Sequence, residues 1–211
     1  IEGAMGLFDG APPCAKGSTA HLAEILNLPI ILIMDCSKIS QSIAAVAEGF
    51  INFDEKVKID GVILNKIGST KHEKILTTAL FKKNIPVIGC VHRDVQLLLP
   101  SRHLGLIQAQ EKSNINEFIE YTANVIEKSI DINTLINLFK NLPQSQLSSS
   151  MEPPAQRISI ASDGAFSFAY PHILDDWHKN GAEISTFSPL ENQAPHSCDL
   201  VFLPGGYPEL Y

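Results

Sequence analysis

Blocks of apolar residues alternate with helically spaced apolar residues along the first 140 positions. Three runs have the length and continuity of strands covered on both faces: "LPIILIMD", "VKIDGVILN" and "IPVIGCV". Between and around them, helical spacing recurs in "STAHLAEIL", "SQSIAAVAEGF", "TKHEKILTTAL" and "NINEFIEYTANVIEK". This alternation predicts a parallel sheet flanked by helices, which is an α/β fold.

The helical spacing also predicts which side chains are buried. The first helix has an apolar face made of Leu22, Ile25 and Leu26. The second and third helices bury the following residues: Ile43, Val46, Ala47 and Phe50, then Ile75, Leu76, Ala79 and Leu80. Thr70 followed by Glu73 predicts a capping box at the start of the third helix. Asn114 followed by Glu117 marks the start of the fourth helix, which is long and amphipathic.

A Ser-, Pro- and Gln-rich stretch then interrupts the pattern. Residues 142–156 predict a linker between a first domain, 1–141, and a second unit, 157–211. In the second unit, "RISIASD", "AEISTFS" and "DLVFLPGG" predict strands, and "AFSFAYPHILDDWHKNG" predicts a helix that ends at Asn180-Gly181. About 55 residues bury little core alone, so this unit is expected to be the first part of a larger α/β domain.

Composition narrows the functional classes. The 211 residues carry a net charge of −7, which argues against general nucleic-acid binding. No apolar run is long enough to span a membrane, and "IEGAMG" has neither a secretory signal nor an initiator Met. The four cysteines form no CxxC pair and the seven histidines are scattered. We therefore expect reduced thiols, a cytoplasmic protein and no structural metal site.

A phosphate-binding P-loop is not found in the sequence. The nearest string is "GAPPCAKGST", in which Lys16 precedes Gly17, the reverse of the order that the motif requires. Its prolines also remove N–H groups that would bind phosphate. The string instead predicts a surface loop that leads to a helix N-cap at Ser18.

Two acidic residues in "IEGAMGLFDG" are candidates for nucleotide chemistry. Glu2 is expected at the carboxyl end of a strand, and Asp9 projects from the glycine-rich loop that follows. A strand-end carboxylate is where an α/β enzyme holds Mg²⁺ beside phosphate oxygens. The alternative is a flexible connection carrying two solvated acids, which the spacing alone favours.

Several other polar residues, two of them at strand ends, allow more than one interpretation. Asn65 and Lys66 end "GVILNK"; an amide there can donate to and accept from a purine edge, or it can cap the next helix. Asp35 ends "IILIMD" and could contact nucleotide, Mg²⁺ or a helix N-terminus. Arg102 in "LLPSRHLGL" suits a bidentate grip on a carboxylate, or a buried salt bridge at a helix start.

The second unit offers an anion-binding loop but no nucleophile. In "VFLPGGYPELY", Val201 to Leu203 suit a buried strand, and Gly205 and Gly206 can aim backbone N–H groups at an oxyanion. The aromatic residues of "ASDGAFSFAY" are expected in the core rather than as a stacking platform. No cysteine lies in a G-x-C-x-G elbow, so the chain has no convincing hydrolytic nucleophile.

Six motifs together resemble one enzyme family. In order they are "EGAMGLFDG", "DCSKISQSIAA", "GVILNKIGSTKHEKIL", "LPSRHLGL", "DGAFSFAYPHIL" and "FLPGGYPELY". This series is similar to the cobyrinic acid a,c-diamide synthases of cobalamin biosynthesis over almost the whole chain. The first domain resembles the ATP-binding domain related to dethiobiotin synthetase, without its first strand and P-loop. The second resembles the start of a triad-type glutamine amidotransferase domain.

The resemblance implies a ligase that amidates two corrin carboxylates through acyl phosphates, using ATP and ammonia from glutamine. It implies Glu2 as an Mg²⁺ ligand, Asp9 near the transferred phosphoryl group, Asn65 at adenine, and Gly205 and Gly206 in the glutaminase oxyanion loop. Further residues are expected near these sites: Lys66 and Asp35 at ATP, and Ser37, Ser40 and Arg102 at substrate. The expected partners are a corrinoid, glutamine and ATP, and a homodimer is one open assembly.

Other functions stay open at this stage. A sister enzyme acting on nickel-sirohydrochlorin would have the same motifs, and so would a scaffold that has lost its catalytic residues. A non-catalytic module related to partitioning ATPases would share the strand–helix layout, but it would not be expected to carry a second domain ending in "LPGG". The family places its P-loop before Ile1 and its nucleophilic cysteine after Tyr211, so we expect the chain alone to be inactive.

Overall fold

Two α/β units make up the chain. The structure, a computed structural model, describes residues 1–3, 5–12, 15–99, 109–139 and 150–211. The units are Ile1–Pro143 and Gln144–Tyr211, and each contains a three-stranded sheet. All strand pairs within both sheets are parallel. The predicted fold class, α/β with parallel sheets, is therefore confirmed.

The first sheet is formed by the three predicted strands in sequence order. They are β1 (Ile30–Asp35), β2 (Ile59–Ile67) and β3 (Val87–His92), with β2 in the centre. The register places Asp35 opposite Asn65. It also places Ile67 opposite His92. The polar residues that end the three strands therefore share the carboxyl edge of the sheet.

Within the described part of the first unit, five α-helices accompany this sheet: α1 (Thr19–Leu26), α2 (Ile43–Ile51), α3 (Thr70–Phe81), α4 (Ile115–Ser129) and α5 (Ile132–Asn137). The predicted N-cap at Ser18 is confirmed, since its side chain accepts a hydrogen bond from the His21 N–H. The capping box at Thr70 is wrong. Ser69 is the N-cap of α3 and accepts from the His72 N–H, so Thr70 is already the first helical residue.

The predicted core faces are mostly correct. Leu64, Leu76 and Leu80 are fully buried between β2 and α3, and Ile43 and Ala47 of α2 pack against them. Partial burial is found for Phe50, Ile75 and Ala79, whereas Val46 is exposed.

The face predicted for α1 is wrong. Leu22 is 40% exposed and Ile25 is 65% exposed, whereas Ala20 is buried. Leu22 and Leu26 line a cavity beside β1 instead of packing in the core.

The second unit contains β4 (Arg157–Ala161), α6 (Pro171–Lys179), β5 (Glu183–Phe187) and β6 (Leu200–Phe202), with strand order β5-β4-β6. Ile158, Ile160 and Trp177 form its core. The helix is shorter than predicted. Pro171 occupies the first turn of α6, and the extended backbone before it cannot continue a helix backwards into "AFSFAY".

The strand β6 is less buried than its sequence predicted. Val201 is 46% exposed and Leu203 is 58% exposed, so the expectation of a buried strand is wrong. The cause is topological, because β6 pairs only with β4 and forms an edge of the described sheet.

Candidate functional site

An ion pair joins the carboxyl ends of β1 and β2. Lys66 Nζ lies 2.6 Å from Asp35 Oδ2. The other oxygen, Asp35 Oδ1, accepts a hydrogen bond of 2.8 Å from the Ser37 N–H. The hydrogen bond from Lys66, reinforced by those from Ser37, holds the pKa of Asp35 well below its ordinary range. Asp35 is therefore a carboxylate with both oxygens engaged at neutral pH.

The backbone at the end of β2 has an unusual conformation. Lys66 adopts φ 58°, a left-handed value that L-residues rarely adopt. Asn65 Oδ1 accepts a hydrogen bond of 2.8 Å from the Lys66 N–H, which helps to hold this bend. Asn65 Nδ2 donates to none of the described residues, so one side of this amide is available to a ligand. An amide with a free N–H₂ and a second oxygen lone pair can recognise an adenine edge.

The loop between β1 and α2 carries Ser37 and Ser40 to the same edge. Ser40 Oγ donates to Gln41 Oε1 at 2.6 Å. The Ile39 carbonyl of this loop accepts a hydrogen bond of 2.8 Å from Nε2 of His72, a residue of α3. The other ring nitrogen, His72 Nδ1, accepts a hydrogen bond of 3.2 Å from the Gly68 N–H, just before α3. Because Nδ1 accepts, the proton of the neutral ring is on Nε2. His72 thereby attaches the serine loop to the start of α3.

A second polar pair lies at the end of β3. His92 Nε2 lies 2.6 Å from Glu73 Oε2, joining the last residue of the strand to the first turn of α3. Sequence reasoning missed this pair, because it assigned Glu73 to a capping box and left His92 outside the strand. The pairing of His92 with Glu73 follows from the strand register, which places His92 opposite Ile67. A single sequence does not show strand register, so it gave no signal for this pair.

The structure does not join the two N-terminal acids to this edge. Glu2 is exposed, and Asp9 lies in a tight turn in which its N–H donates to the Gly6 carbonyl at 3.0 Å. The neighbouring Phe8 stacks on Phe50 of α2 and packs at a tilt against Phe53, which follows α2. Among the described residues, no hydrogen bond or ion pair connects Glu2 or Asp9 to the residues of the Asp35 edge. Arg102 falls outside the described residues.

The described residues contain no group of three or more His, Cys, Asp or Glu side chains arranged to hold a metal ion. Magnesium bound with a nucleotide commonly takes one or two carboxylates, with phosphate and water supplying the other ligands. The exposed carboxylate of Glu2 fits that limited role. Asp35 fits it less well, since Lys66 and Ser37 already occupy its oxygens.

Three described cysteines are free thiols: Cys36, Cys90 and Cys198. Burial raises the pKa of Cys90 to about 11 and also raises the pKa of Cys36. Thiols of this kind are poor nucleophiles at neutral pH because the reactive thiolate is scarce. Cys14 falls outside the described residues.

In the second unit, the loop after β6 has close-packed glycines. A Cβ at Gly206 would overlap the Ala165 carbonyl oxygen, and a Cβ at Gly205 would approach Phe168 Cδ2 to 3.2 Å. The Phe168 N–H donates to the Gly205 carbonyl at 2.9 Å. Neither N–H of the two glycines donates to any residue that the structure describes. Two unengaged N–H groups on a fixed loop can stabilise an oxyanion.

Asp163 organises the turn that this loop contacts. Its Oδ1 accepts from the N–H groups of Ala165 (2.9 Å) and Phe166 (3.1 Å). Its Oδ2 accepts from Ser188 Oγ (2.9 Å) and the Leu190 N–H (3.0 Å). Desolvation opposes ionisation, but these four hydrogen bonds outweigh it and lower the pKa of Asp163. Asp163 therefore fixes the backbone of Ala165, against which Gly206 packs.

The aromatic residues of this turn are not in the core, contrary to the prediction. Phe168 is 37% exposed and Tyr170 is 64% exposed, and Phe166 is partly buried. Phe168 packs edge-to-face on Tyr207, with ring centroids 5.3 Å apart. Phe168 therefore packs beside the glycine loop, near Gly205. The aromatic segment lies outside α6 because Pro171 is in the first turn of that helix.

Comparison with known proteins finds relatives that align with the whole of this chain. A hydrogenobyrinate a,c-diamide synthase of Agrobacterium fabrum is 47% identical over 216 residues, covering 100% of this chain and 49% of that protein. This chain is homologous over its whole length to the hydrogenobyrinate a,c-diamide synthases. Proteins of the same name from Brucella ovis (47% over 214 residues) and Mesorhizobium japonicum (45% over 216 residues) show the same coverage.

The chain spans about half the length of these relatives. The predicted resemblance to the a,c-diamide synthases is therefore confirmed for this region. No family model matches the chain, and no solved structure matches it. None of the helices that the structure describes is long and apolar enough to cross a membrane.

Proposed function

We propose that the full-length protein is an ATP- and glutamine-dependent ligase that amidates the a and c carboxylates of a cobyrinic-acid-type macrocycle. The observation that carries the proposal is the 47% identity, over the whole chain, to a protein named hydrogenobyrinate a,c-diamide synthase. Two features of the structure support the proposal: an ammonium group at the carboxyl edge of the first sheet and backbone N–H groups in the glycine loop of the second unit.

At each carboxylate the proposed reaction has two steps. The carboxylate oxygen attacks the γ-phosphorus of ATP, forming an acyl phosphate and releasing ADP. Hydrolysis of glutamine gives glutamate and ammonia; the ammonia attacks the acyl carbon, and phosphate leaves with the C–O bond electrons. Each amide therefore consumes one ATP and one glutamine. Magnesium, when bound with ATP, would neutralise phosphate charge during the first step.

The residues of the first unit have distinct proposed roles. Asn65 recognises adenine with the side of its amide that faces away from Lys66. Lys66, paired with Asp35 in the structure, is a mobile ammonium that turns toward phosphate when nucleotide binds. Ser37, Ser40 and Arg102 contribute to substrate binding. Asp9 acts near the transferred phosphoryl group, and Glu2 contributes a ligand to Mg²⁺.

The second unit is proposed to take part in glutamine hydrolysis. The N–H groups of Gly205 and Gly206 would stabilise the oxyanion that forms when a nucleophile attacks the glutamine amide. The thiols of Cys36, which is buried, and Cys90, which is partly buried, have raised pKa values and are unsuited to be that nucleophile. We therefore propose that it lies in the part of the full-length protein outside this chain, and that the chain alone is inactive.

The test is amidation by the full-length protein. It is incubated with ATP, Mg²⁺, glutamine and either hydrogenobyrinate, cobyrinate or nickel-sirohydrochlorin, and products are resolved by mass. Two successive amidations of hydrogenobyrinate or cobyrinate are expected. Amidation of nickel-sirohydrochlorin alone would assign the sister activity. ATP hydrolysis without amidation of any macrocycle would favour a partitioning-type ATPase and overturn the proposal. Glutamate release by the purified 211-residue chain would contradict its expected inactivity.

A further inference from the structure

The loop that follows β3 exposes three large apolar side chains. The strand ends at His92, and soon after it Val95 is 77% exposed, Leu98 is 63% exposed and Leu99 is 52% exposed. We call these three residues the apolar patch. A single exposed apolar side chain is common on a protein surface, but several close together mark a site of binding.

The loop that carries the patch is fixed to the rest of the first unit. The Tyr121 hydroxyl of α4 donates a hydrogen bond of 2.5 Å to Asp94 Oδ2, and the Gln96 N–H donates one of 2.8 Å to Asp94 Oδ1. The bond from Tyr121 lowers the pKa of Asp94, which is therefore a carboxylate at neutral pH. Leu97 packs against the core cluster that contains Ile88. The patch is thus exposed by a loop whose backbone is held in place.

The patch begins at the same edge of the sheet as the candidate nucleotide-binding residues. Asp35 and Asn65 lie at the carboxyl ends of β1 and β2, and His92 ends β3 at that edge. Neighbouring strands lie about 4.8 Å apart, so the ends of β1 and β3 are separated by about 10 Å. Ligands of open α/β sheets bind at the carboxyl ends of the strands. A ligand larger than a nucleotide base can therefore extend from one end of this edge to the other.

We propose that Val95, Leu98 and Leu99 contact the ring face of the macrocyclic substrate, and that Asp94 and Tyr121 position the loop that carries them. This inference rests on the proposed function. A cobyrinic-acid-type macrocycle combines an apolar ring with carboxylates at its rim. Moving the ring face from water onto an apolar surface is favourable, whereas ATP and glutamine offer much less apolar surface for such a contact.

The size and the charge of this region favour a small molecule over a protein partner. A standard protein interface buries about 800 Å² on each side and involves about 20–30 residues, far more than three side chains supply. The exposed residue Arg93 lies two positions before Val95. Its guanidinium group is suited to bind a carboxylate. An apolar patch beside a guanidinium group matches a ring with an acidic rim.

The test compares two apolar residues of nearly equal exposure in the full-length protein. Leu98 is 63% exposed, and Ile25 is 65% exposed on α1, which leads into the start of β1 at the opposite edge of the sheet. Leu98→Ser is expected to raise KM for hydrogenobyrinate about 10-fold, as loss of one buried leucine contact would, with kcat and KM for ATP unchanged. Ile25→Ser should change none of these constants. Titration of hydrogenobyrinate without ATP should show the same loss of affinity.

The possible outcomes separate this inference from the proposed function. An unchanged KM in Leu98→Ser, in a protein whose wild type amidates hydrogenobyrinate, would overturn the inference and leave the proposed function intact. A wild type that neither binds nor amidates any macrocycle would overturn both. A lower Tm or an altered sedimentation coefficient in Leu98→Ser, with KM unchanged, would assign the patch to a protein contact and would also overturn the inference.

Tyr121→Phe tests the positioning of the loop. It removes the hydroxyl group that donates to Asp94, and it is expected to raise KM for hydrogenobyrinate about 5-fold without changing KM for ATP. Leu98→Ser should then raise KM by a smaller factor in the Tyr121→Phe background than in the wild type, because a released loop no longer holds Leu98 against the ring. Factors that simply multiply would show that Tyr121 does not act through this loop.

Discussion

The ammonium of Lys66 lies 2.6 Å from Asp35 Oδ2, and the backbone of Lys66 adopts a left-handed φ of 58°. Both side chains are about half exposed, so the ion pair adds at most about 1 kcal/mol to stability. The left-handed conformation costs roughly 1–2 kcal/mol for an L-residue. The conformational cost is at least as large as the gain from the ion pair, so lysine at this position does not increase stability. This supports a functional role for the side chain.

Two substitutions of Lys66 distinguish the effect of its backbone strain on stability from the effect of its ammonium group on ATP binding. Lys66→Gly removes the ammonium and also the left-handed strain, whereas Lys66→Ala removes the ammonium alone. The glycine variant is expected to exceed the alanine variant in free energy of unfolding by about 1 kcal/mol. Both variants are expected to bind ATP more weakly by a similar factor. Urea denaturation and calorimetric titration of ATP into the full-length protein measure the two effects.

A different result would reassign the residue. If the alanine variant bound ATP as tightly as the wild type, Lys66 would have no part in nucleotide binding. Its pairing with Asp35 would then serve only to connect β1 with β2.

The sequence allowed the strands of the first sheet to be predicted because each is a continuous apolar run between helices. Burial of Leu76 and Leu80 followed from helical spacing for the same reason. The starts of two helices were predicted wrongly, because in each case one neighbouring residue determined where the helix begins. Ser69, one position before Thr70, took the N-cap of α3, and Pro171 set the start of α6.

The candidate site was less accessible to prediction, because it depends on strand register and backbone conformation. Strand ends indicated Asp35 and Asn65, and the register brought these two residues side by side. The left-handed backbone conformation of Lys66 could not be predicted, because lysine rarely adopts it. The pairing of His92 with Glu73 depends on the packing of β3 against α3, which a single sequence does not encode locally.

Gly206→Ala is expected to damage the glycine loop of the second unit. The added methyl group overlaps the Ala165 carbonyl, so the loop must move, at a cost of about 1–3 kcal/mol. Glutaminase activity of the full-length protein should fall because the glycine loop is displaced. Gly49→Ala is a suitable control, because that helical position has open space around it and should gain about 0.5–1 kcal/mol. Unchanged glutaminase activity in Gly206→Ala would exclude the loop from the amidotransferase site.

Asp9→Asn tests the acid that the structure does not join to the Asp35 edge. If Asp9 acts near the transferred phosphoryl group, amide formation by the full-length protein should fall by about 100-fold or more, with little change in glutamine hydrolysis. The two rates are measured as amidated product and as glutamate. Asp54→Asn, at a partly buried position after α2, is the matched control and should change neither rate. Amidation at the wild-type rate would remove Asp9 from the proposed site.

Asp163→Asn is expected to destabilise the second unit in a pH-dependent way. The carboxylate accepts four hydrogen bonds, and an amide has only one oxygen to receive them. Because the pKa of Asp163 is lowered by folding, its stabilisation is fully present above the unfolded value of about 4 and is lost as pH falls through the folded value. The variant should therefore melt at a lower Tm than the wild type at pH 7.

The difference between the two Tm values should narrow as the pH is lowered below about 4, when the wild-type carboxyl group is protonated as well. Thermal unfolding of the wild-type and variant full-length proteins between pH 7 and pH 3 measures this difference in Tm. Asp175→Asn alters an exposed carboxylate of α6 and should leave Tm at pH 7 unchanged. A Tm difference that stayed constant down to pH 3 would show that the charge of Asp163 does not hold the turn. Ala165, against which Gly206 packs, would then owe its position to the surrounding packing.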